Sequence, residues 1–134
     1  KGTFNCTQAV AKNMMVNKSG KIINVTAPSA LRATGGAADY ASAKGGIIAL
    51  TKATAKELAP FRINVNCLCP VARTRMTERL MEFRHTTIKE HAARYPLGWF
   101  AEPEEMAPAF VFFASSDANY ITGQVLAIDG GLTM

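Results

Sequence analysis

Three short apolar runs, rich in Val and Ile, are separated by stretches long enough for one or two helices each. The runs occupy residues 21–27, 62–69 and 124–128, and a stretch with helical spacing of apolar residues, 2–16, precedes the first run. Strands that are apolar along their whole length and are joined through helices are typical of parallel sheets covered on both faces. The sequence therefore predicts an α/β chain built on a parallel sheet.

The length and composition fit one folded unit. With 134 residues, 49% of them hydrophobic and 19% charged, the chain can bury one core, so we expect a single domain over residues 1–134. It has neither a long apolar run nor a signal-like start, and its three cysteines form no Cys-x-x-Cys pair. These features predict a cytoplasmic protein without a membrane span. The spacing of His85 and His91 is poor for two ligands on one helix face, so no metal site is expected.

Positive charge is concentrated in residues 73–94, a segment that we call the flap. The net charge of the chain is +5, and the flap contains six Lys or Arg residues against three Glu. We expect one long amphipathic helix over residues 74–94. Its charge fits either a solvated helix face or a cover over a site for an anionic substrate. A nucleic-acid partner is not expected, because no aromatic residues are interleaved with the basic ones.

Proline residues mark the limits of two further helices. A helix over residues 40–59 is expected to end at Pro60, and its many Ala and Gly residues allow another backbone to approach closely. Pro103, followed by two Glu residues, predicts the start of another helix. Pro108, inside that helix, is expected to remove one backbone hydrogen bond. Residues 28–38, which contain Pro28 and a Gly-Gly pair, are predicted to form a loop.

Tyr40 and Lys44 are spaced to meet on one face of the helix that they begin. A lysine ammonium within about 4–6 Å of a phenol favours the phenolate form, so the pair can exchange a proton with a carbonyl oxygen. The same spacing also fits an exposed tyrosine beside a solvated lysine. The first two predicted strands end near the start of this helix, and ligands of parallel sheets bind beyond that edge. The sequence thus predicts a cleft that contains the pair.

Several ordered motifs give the whole chain a specific resemblance. It resembles the short-chain dehydrogenase/reductase family, most of all the members of the 3-oxoacyl-acyl-carrier-protein reductase type. The motifs occupy residues 20–26, 40–44, 62–66, 96–98, 103–106 and 121–131.

The resemblance implies the C-terminal half of a Rossmann-like, doubly wound parallel sheet that uses NAD or NADP to interconvert a carbonyl and a secondary alcohol. Tyr40 is implied as the catalytic acid/base, which also contacts the cofactor, and Lys44 as the group that binds the nicotinamide ribose and favours loss of the tyrosine proton. Further residues are implied to line the nicotinamide and its phosphates: Pro70, Val71, Ala72 and Thr74.

The family's Gly-rich turn, which holds the pyrophosphate at a helix N-terminus, has no counterpart in this sequence. We therefore expect a partial domain from which the N-terminal cofactor-binding half is absent. The choice between NAD and NADP stays open, because the residues that make this choice belong to that half.

The position of the family's catalytic serine, thirteen residues before Tyr40, holds Ala27. A methyl group cannot donate a hydrogen bond to a substrate oxygen. Ser29 can share the face of Ala27 and is the favoured substitute, whereas strand alternation turns the Thr26 side chain to the other face. Thr26 is the second candidate, and a site without any hydroxyl is the third.

The resemblance also implies partners. The small-molecule substrate is a carbonyl or an alcohol, and the basic flap favours an acyl thioester. A homodimer or homotetramer is implied, with the helix before the first strand and the Tyr40 helix at the interface. The alternative is a catalytically impaired binding or assembly subunit, which Ala27 favours. Trp99, in a position where the family commonly has Arg, removes a charge.

Overall fold

Three parallel strands form the sheet at the centre of the molecule. The structure, a computed structural model, describes residues 1–32 and 35–134. The strands are β1 (Gly20–Val25), β2 (Ile63–Pro70) and β3 (Val125–Ile128), and they lie side by side in the order β1-β2-β3. Gly20 pairs with Ile63 at one end of the sheet, and Pro70 pairs with Ile128 at the other. The predicted α/β architecture with a parallel sheet is confirmed.

Helices connect the strands and lie against the sheet. None of the helices in the described part of the chain is long and apolar enough to cross a membrane. In the segment predicted as a loop, residues 28–38, Pro28–Ala30 form a short 3₁₀ turn. Ala33 and Thr34 of this segment lie outside the described residues. The helices are α1 (Gly2–Asn17), α2 (Ala38–Leu58), α3 (Arg75–Phe83), α4 (Ile88–Ala92) and α5 (Ala107–Ala114).

The central strand β2 contributes most of the core. Its side chains from Val65 to Cys69 are almost wholly buried, and each buried aliphatic side chain of this kind contributes about 1.5–3 kcal/mol. On one face, Ala55 and Leu58 of α2 pack against Ile63 and Val65. This burial on both faces is typical of a strand in a parallel sheet that is covered on both sides, and apart from Asn64 and Asn66 the run from Ile63 to Cys69 is apolar.

The flap is not one helix, so this prediction was wrong. It forms α3 and α4, separated by a turn in which His85 adopts a left-handed conformation with φ of 51°. Thr87 restarts the helix, because its hydroxyl accepts a hydrogen bond from the Glu90 amide while the Glu90 carboxylate accepts one from the Thr87 amide. A threonine followed three residues later by a glutamate was a capping signal within the predicted helix.

The helix expected at Pro103 begins later. Pro103–Glu105 form a separate 3₁₀ turn, and α5 starts at Ala107. Pro108 therefore lies in the first turn of α5, where a backbone N–H has no partner within the helix. The expected loss of a hydrogen bond at Pro108 does not occur.

Candidate active site

The start of α2 is fixed to the end of β1 through Lys44. Its ammonium Nζ donates to the carbonyl oxygen of Val25 at 3.1 Å, and its own carbonyl accepts from Thr26 Oγ1 at 2.9 Å. Thr26 is buried, and its amide continues the pairing with β2 by donating to the carbonyl of Leu68. These bonds place the first turns of α2 at the carboxyl edge of the sheet, which is the edge where we expect the cleft.

Tyr40 and Lys44 lie together at this edge. The Lys44 Nζ atom is 5.8 Å from the centroid of the Tyr40 ring, which is within the range of about 6 Å for a cation and an aromatic face. The Tyr40 side chain is 47% exposed. Within residues 1–32 and 35–134, its hydroxyl makes no hydrogen bond. The structure thus brings the predicted pair together and leaves the phenol open to a ligand.

The two hydroxyl groups considered as substitutes for the serine have different surroundings. Thr26 Oγ1 is used in the bond to the Lys44 carbonyl. Ser29 Oγ is buried and has no hydrogen-bond partner among the residues that the structure describes. An unpartnered buried hydroxyl costs about 1–3 kcal/mol, so such groups in folded proteins need an explanation. Ala27 lies between them in extended backbone and is itself buried.

The residues implied to line the cofactor form the exit from β2. Pro70 is the last residue of the strand, and the amide of Val71 donates to the carbonyl of Ile128 at 2.9 Å. The side chain of Val71 packs under the flap. Thr74 is the N-cap of α3 and is exposed, and the Ala72 carbonyl accepts a bond from Thr77 Oγ1. Backbone pairing and capping therefore hold this segment at the sheet edge.

Arg73, the first residue of the flap, is paired with two carboxylates, so its positive charge is partly neutralised. Its guanidinium donates to Glu78 Oε1 at 2.9 Å and to Glu102 Oε1 at 3.4 Å. The hydrogen bond that Arg73 donates to Glu78, together with the negative charges of Glu102 and Glu78, raises the pKa of Arg73. Because the Arg73 side chain is partly exposed, the ion pairs position the start of the flap more than they stabilise the fold.

An aromatic cluster holds the other end of the flap, and the sequence analysis missed it. His91 Nε2 lies 2.9 Å from the Tyr95 hydroxyl, and the His91 ring centroid is 4.6 Å from that of Phe100. Tyr95 and Phe100 are stacked and buried, and with Met81 they pack against Val71, Ala92 and Leu132. We call Met81, His91, Tyr95 and Phe100 the flap anchor. The separation of His91 and Tyr95 by one helical turn was the available signal.

Two buried polar side chains shape the loops on either side of β3. Asn66 accepts from the Gln124 amide at 3.0 Å and donates to the Ile121 carbonyl at 2.8 Å. The carboxylate of Asp129 accepts from the amide of Gly131 and from both the amide and the hydroxyl of Thr133. An Asp followed by two glycines is a turn signal that identifies the second of these.

Trp99 lines a cavity of about 160 Å³ between the ends of β2 and β3 and the segment that follows the flap. Its indole Nε1 donates to Glu105 Oε1 at 3.2 Å. Where the family commonly has a charge, this chain therefore has a neutral donor bonded to a carboxylate. Within the described residues, no group of three or more His, Cys, Asp or Glu side chains is arranged to hold a metal ion.

Together, the fold and the site define an α/β protein of the Rossmann type with Tyr40 and Lys44 side by side at the carboxyl edge of its sheet. The family model described as enoyl-(acyl carrier protein) reductase matches residues 1–133. The chain belongs to the short-chain dehydrogenase/reductase family, which confirms the resemblance seen in its motifs.

Similar proteins include a curated relative and solved structures. The 3-oxoacyl-[acyl-carrier-protein] reductase FabG of Thermotoga maritima is 43% identical over 135 residues, covering 100% of this chain and 54% of the relative. A gluconate 5-dehydrogenase from Burkholderia cenocepacia, in complex with NADP and tartrate, is 34% identical with a TM-score of 0.91 over 98% of this chain and 52% of its own. A 3-oxoacyl-[acyl-carrier protein] reductase from Brucella melitensis with bound NAD is 28% identical with a TM-score of 0.85 over 99% and 48%. The chain spans about half the length of these proteins.

Proposed function

We propose that this chain carries the catalytic half of an oxidoreductase that uses NAD or NADP to interconvert a carbonyl and a secondary alcohol. The observation that carries the proposal is the half-exposed Tyr40 phenol, which has no hydrogen-bond partner among the described residues, beside the strand-anchored ammonium of Lys44. The NADP in the Burkholderia structure and the NAD in the Brucella structure support this type of cofactor. The Thermotoga relative is named a reductase, which supports the reductive direction.

The residues present fit a nicotinamide ribose. An ammonium has three N–H donors, and Lys44 uses one of them on Val25, so two stay available for ribose hydroxyls. The segment from Pro70 to Thr74, which we propose as the rest of the cofactor contact, lies at the same edge. The bound nicotinamide would supply or accept the hydride, and this chemistry belongs to the cofactor.

In the reductive direction, Tyr40 donates its phenolic proton to the carbonyl oxygen of the substrate. Lys44 supports this step because its positive charge stabilises the phenolate that remains. In the oxidative direction, the phenolate takes the proton of the alcohol. The half-exposed position of Tyr40 allows it to exchange that proton with water afterwards.

We propose Ser29 as the hydroxyl that donates to the substrate oxygen in place of the residue lost at Ala27. In the described part of the chain its Oγ lacks a partner, whereas the hydroxyl of Thr26 is used in the bond to the Lys44 carbonyl. Loss of one such donor reduces the rate by about 10²–10³ in other enzymes. Ser29→Ala should therefore lower kcat by about this factor, and Thr26→Ala should lower kcat by much less.

As substrate we propose a 3-oxoacyl thioester on an acyl carrier protein or coenzyme A. The name of the Thermotoga relative and the excess positive charge of the flap support this class, because both carriers are anionic. The name of the Burkholderia relative supports a sugar acid as the competing class. We propose a homo-oligomer, and three free cysteines fit a reducing compartment such as the cytoplasm.

The second candidate function is a binding or assembly subunit without catalysis. Ala27, in the position of the family's serine, is the observation that favours it. The two candidates differ in their prediction for Tyr40→Phe, which removes only the phenolic oxygen.

The test measures oxidation of NADPH and NADH with acetoacetyl-CoA as the probe. Tyr40→Phe should abolish turnover, while cofactor binding, followed by NADPH fluorescence, persists. Tyr120→Phe is the matched control, because Tyr120 is fully exposed at the opposite end of the sheet, before β3, and should retain full activity. Equal turnover in Tyr40→Phe and the unmodified protein would contradict the proposal. Cofactor binding without turnover in the unmodified protein would favour the assembly subunit.

A further inference from the structure

We propose that His91 is a pH-sensitive latch that holds the flap against the carboxyl edge of the sheet and releases it on protonation. This inference goes beyond the proposed function, because it concerns the docking of the flap and requires neither cofactor nor substrate. It rests on the position of His91 in the flap anchor.

The latch is built from contacts between the flap and the segment that follows it. His91, on α4, contacts Tyr95 through a hydrogen bond of 2.9 Å and Phe100 through its ring at 4.6 Å. Tyr95 is 5% exposed and Phe100 is 8% exposed. Met81 of α3 packs in the same cluster. One half-buried imidazole therefore touches the two aromatic side chains that attach both flap helices to the sheet edge.

Protonation of His91 reverses its hydrogen bond to Tyr95. In the neutral form, Nε2 can accept the bond from the Tyr95 hydroxyl, whereas in the charged form both ring nitrogens are donors. The hydroxyl must then accept, and its own hydrogen needs a new acceptor in a buried place. Apart from His91, Tyr95 Oη has no hydrogen-bond partner in the parts of the chain that the structure describes. The docked flap thus becomes less favourable when the imidazole takes up a proton.

The charges around His91 act in the same direction. Burial, and then the positive charges of Arg94 and Arg84, lower the pKa of His91. Tyr95 remains neutral in this range, because burial raises the pKa of its hydroxyl by more than the positive charge of Arg94 lowers it. Because the pKa of His91 is lower in the docked flap than in the released flap, His91 favours docking fully above the usual histidine pKa of about 6.5. That stabilisation is lost as the pH falls below this value through the lower pKa of the docked form.

Release of the latch reaches the candidate active site through Val71. The side chain of Val71 packs against the flap anchor, and its amide pairs with Ile128 at the sheet edge. Val71 also belongs to the segment that we propose for cofactor contact. Release of the flap at low pH therefore removes packing contacts from Val71 and changes the conformation of that segment.

The test follows the whole chain by NMR between about pH 7.5 and 5.5, above the usual range in which carboxyl groups take up protons. The reporters are the indole N–H of Trp99, which is the single Trp of the sequence, and the amide exchange of Ala93 and Tyr95. We expect exchange protection at these two amides to fall by up to tenfold per pH unit, the limit for one proton, while β2 keeps its protection. The titration of the His91 ring should coincide with this change.

Three variants separate the latch from general acid sensitivity. His91→Gln should make the flap reporters independent of pH over this range, whereas His85→Gln, which changes the other histidine of the chain, should respond like the unmodified protein. Tyr95→Phe removes the hydroxyl and should reduce the response. The proposal is overturned if His91→Gln responds like the unmodified protein, if the unmodified protein shows no response, or if β2 loses protection in parallel with the flap.

Discussion

The hydroxyl groups of Thr26 and Ser29 differ in what each contributes to folding. Thr26 Oγ1 makes a hydrogen bond of 2.9 Å between the end of β1 and α2. Ser29 Oγ is buried and finds no partner within residues 1–32 and 35–134, and a buried hydroxyl without a partner lowers stability.

Thr26→Ala should lower the free energy of unfolding by about 1 kcal/mol, because it removes a bond and leaves the Lys44 carbonyl without that donor. Ser29→Ala should leave this free energy unchanged or raise it slightly. Urea denaturation of both variants measures the difference. A loss in Ser29→Ala as large as that in Thr26→Ala would show that Ser29 has a structural partner and would weaken its proposed role in catalysis.

Cysteine reactivity should follow burial. Desolvation raises the pKa of Cys69 to about 12 and also raises the pKa of Cys67, so neither thiol forms much thiolate near neutral pH. Cys6 is exposed on α1. A thiol reagent at about pH 7.5 should therefore label one cysteine rapidly, and Cys6→Ser should abolish this rapid phase. Rapid labelling of two or more thiols would indicate that β2 opens readily in the native protein.

At the scale of elements, the sequence predicted the direction of a side chain correctly where the repeat of a helix or a strand determines it. The spacing of Tyr40 and Lys44 placed both side chains on one face of α2, and strand alternation predicted that Thr26 faces away from Ala27. The identity of its acceptor, the Lys44 carbonyl, could not be predicted, because it depends on how closely α2 approaches β1 in three dimensions.

The errors in the flap and in α5 have local causes. Capping by Thr87 and a left-handed His85 divide a segment whose amphipathic pattern is continuous. Pro108 is tolerated because α5 begins one residue before it. The flap anchor was missed because its members meet across a chain reversal, and no periodic pattern records that contact.

Asn66 should prove essential to the loop before β3. Asn66→Ala leaves the Gln124 amide and the Ile121 carbonyl without their bonds to this side chain, and should cost about 2–3 kcal/mol of unfolding free energy. Asn66→Asp should cost more, because it also buries a carboxylate against a carbonyl oxygen. Asn119→Ala, at an exposed position of the same loop, is the control and should change stability by less than about 0.5 kcal/mol. Equal losses in Asn66→Ala and the control would contradict this account.

At the scale of the whole molecule, large apolar side chains remain outside the core. They occur on α1 and α5, where Val16 is 81% exposed and Val111 is 67% exposed. The outward face of α2 is lined by small residues, and the space around Gly45 and Gly46 is open. Exposed apolar and small residues of this kind fit contact with other protein surface.

We predict that Ala49→Glu on the exposed face of α2 dissociates the proposed homo-oligomer, because the change places a charge and a longer side chain where two backbones would meet. Sedimentation velocity should show a smaller species than in the unmodified protein. Ala93→Glu introduces the same change on the exposed side of the flap and should leave the assembly intact. An unmodified protein that sediments only as a monomer would contradict the proposed oligomer.

Lys44 connects the chemistry of the site to the architecture that supports it. Its side chain bonds to the last residue of β1, and its main chain accepts from the residue after that strand. A protein engineer who transfers the Tyr–Lys pair to another scaffold must therefore transfer a strand end as well as a helix. Grafting the two side chains onto an isolated helix would leave the ammonium free to turn toward water and away from the phenol.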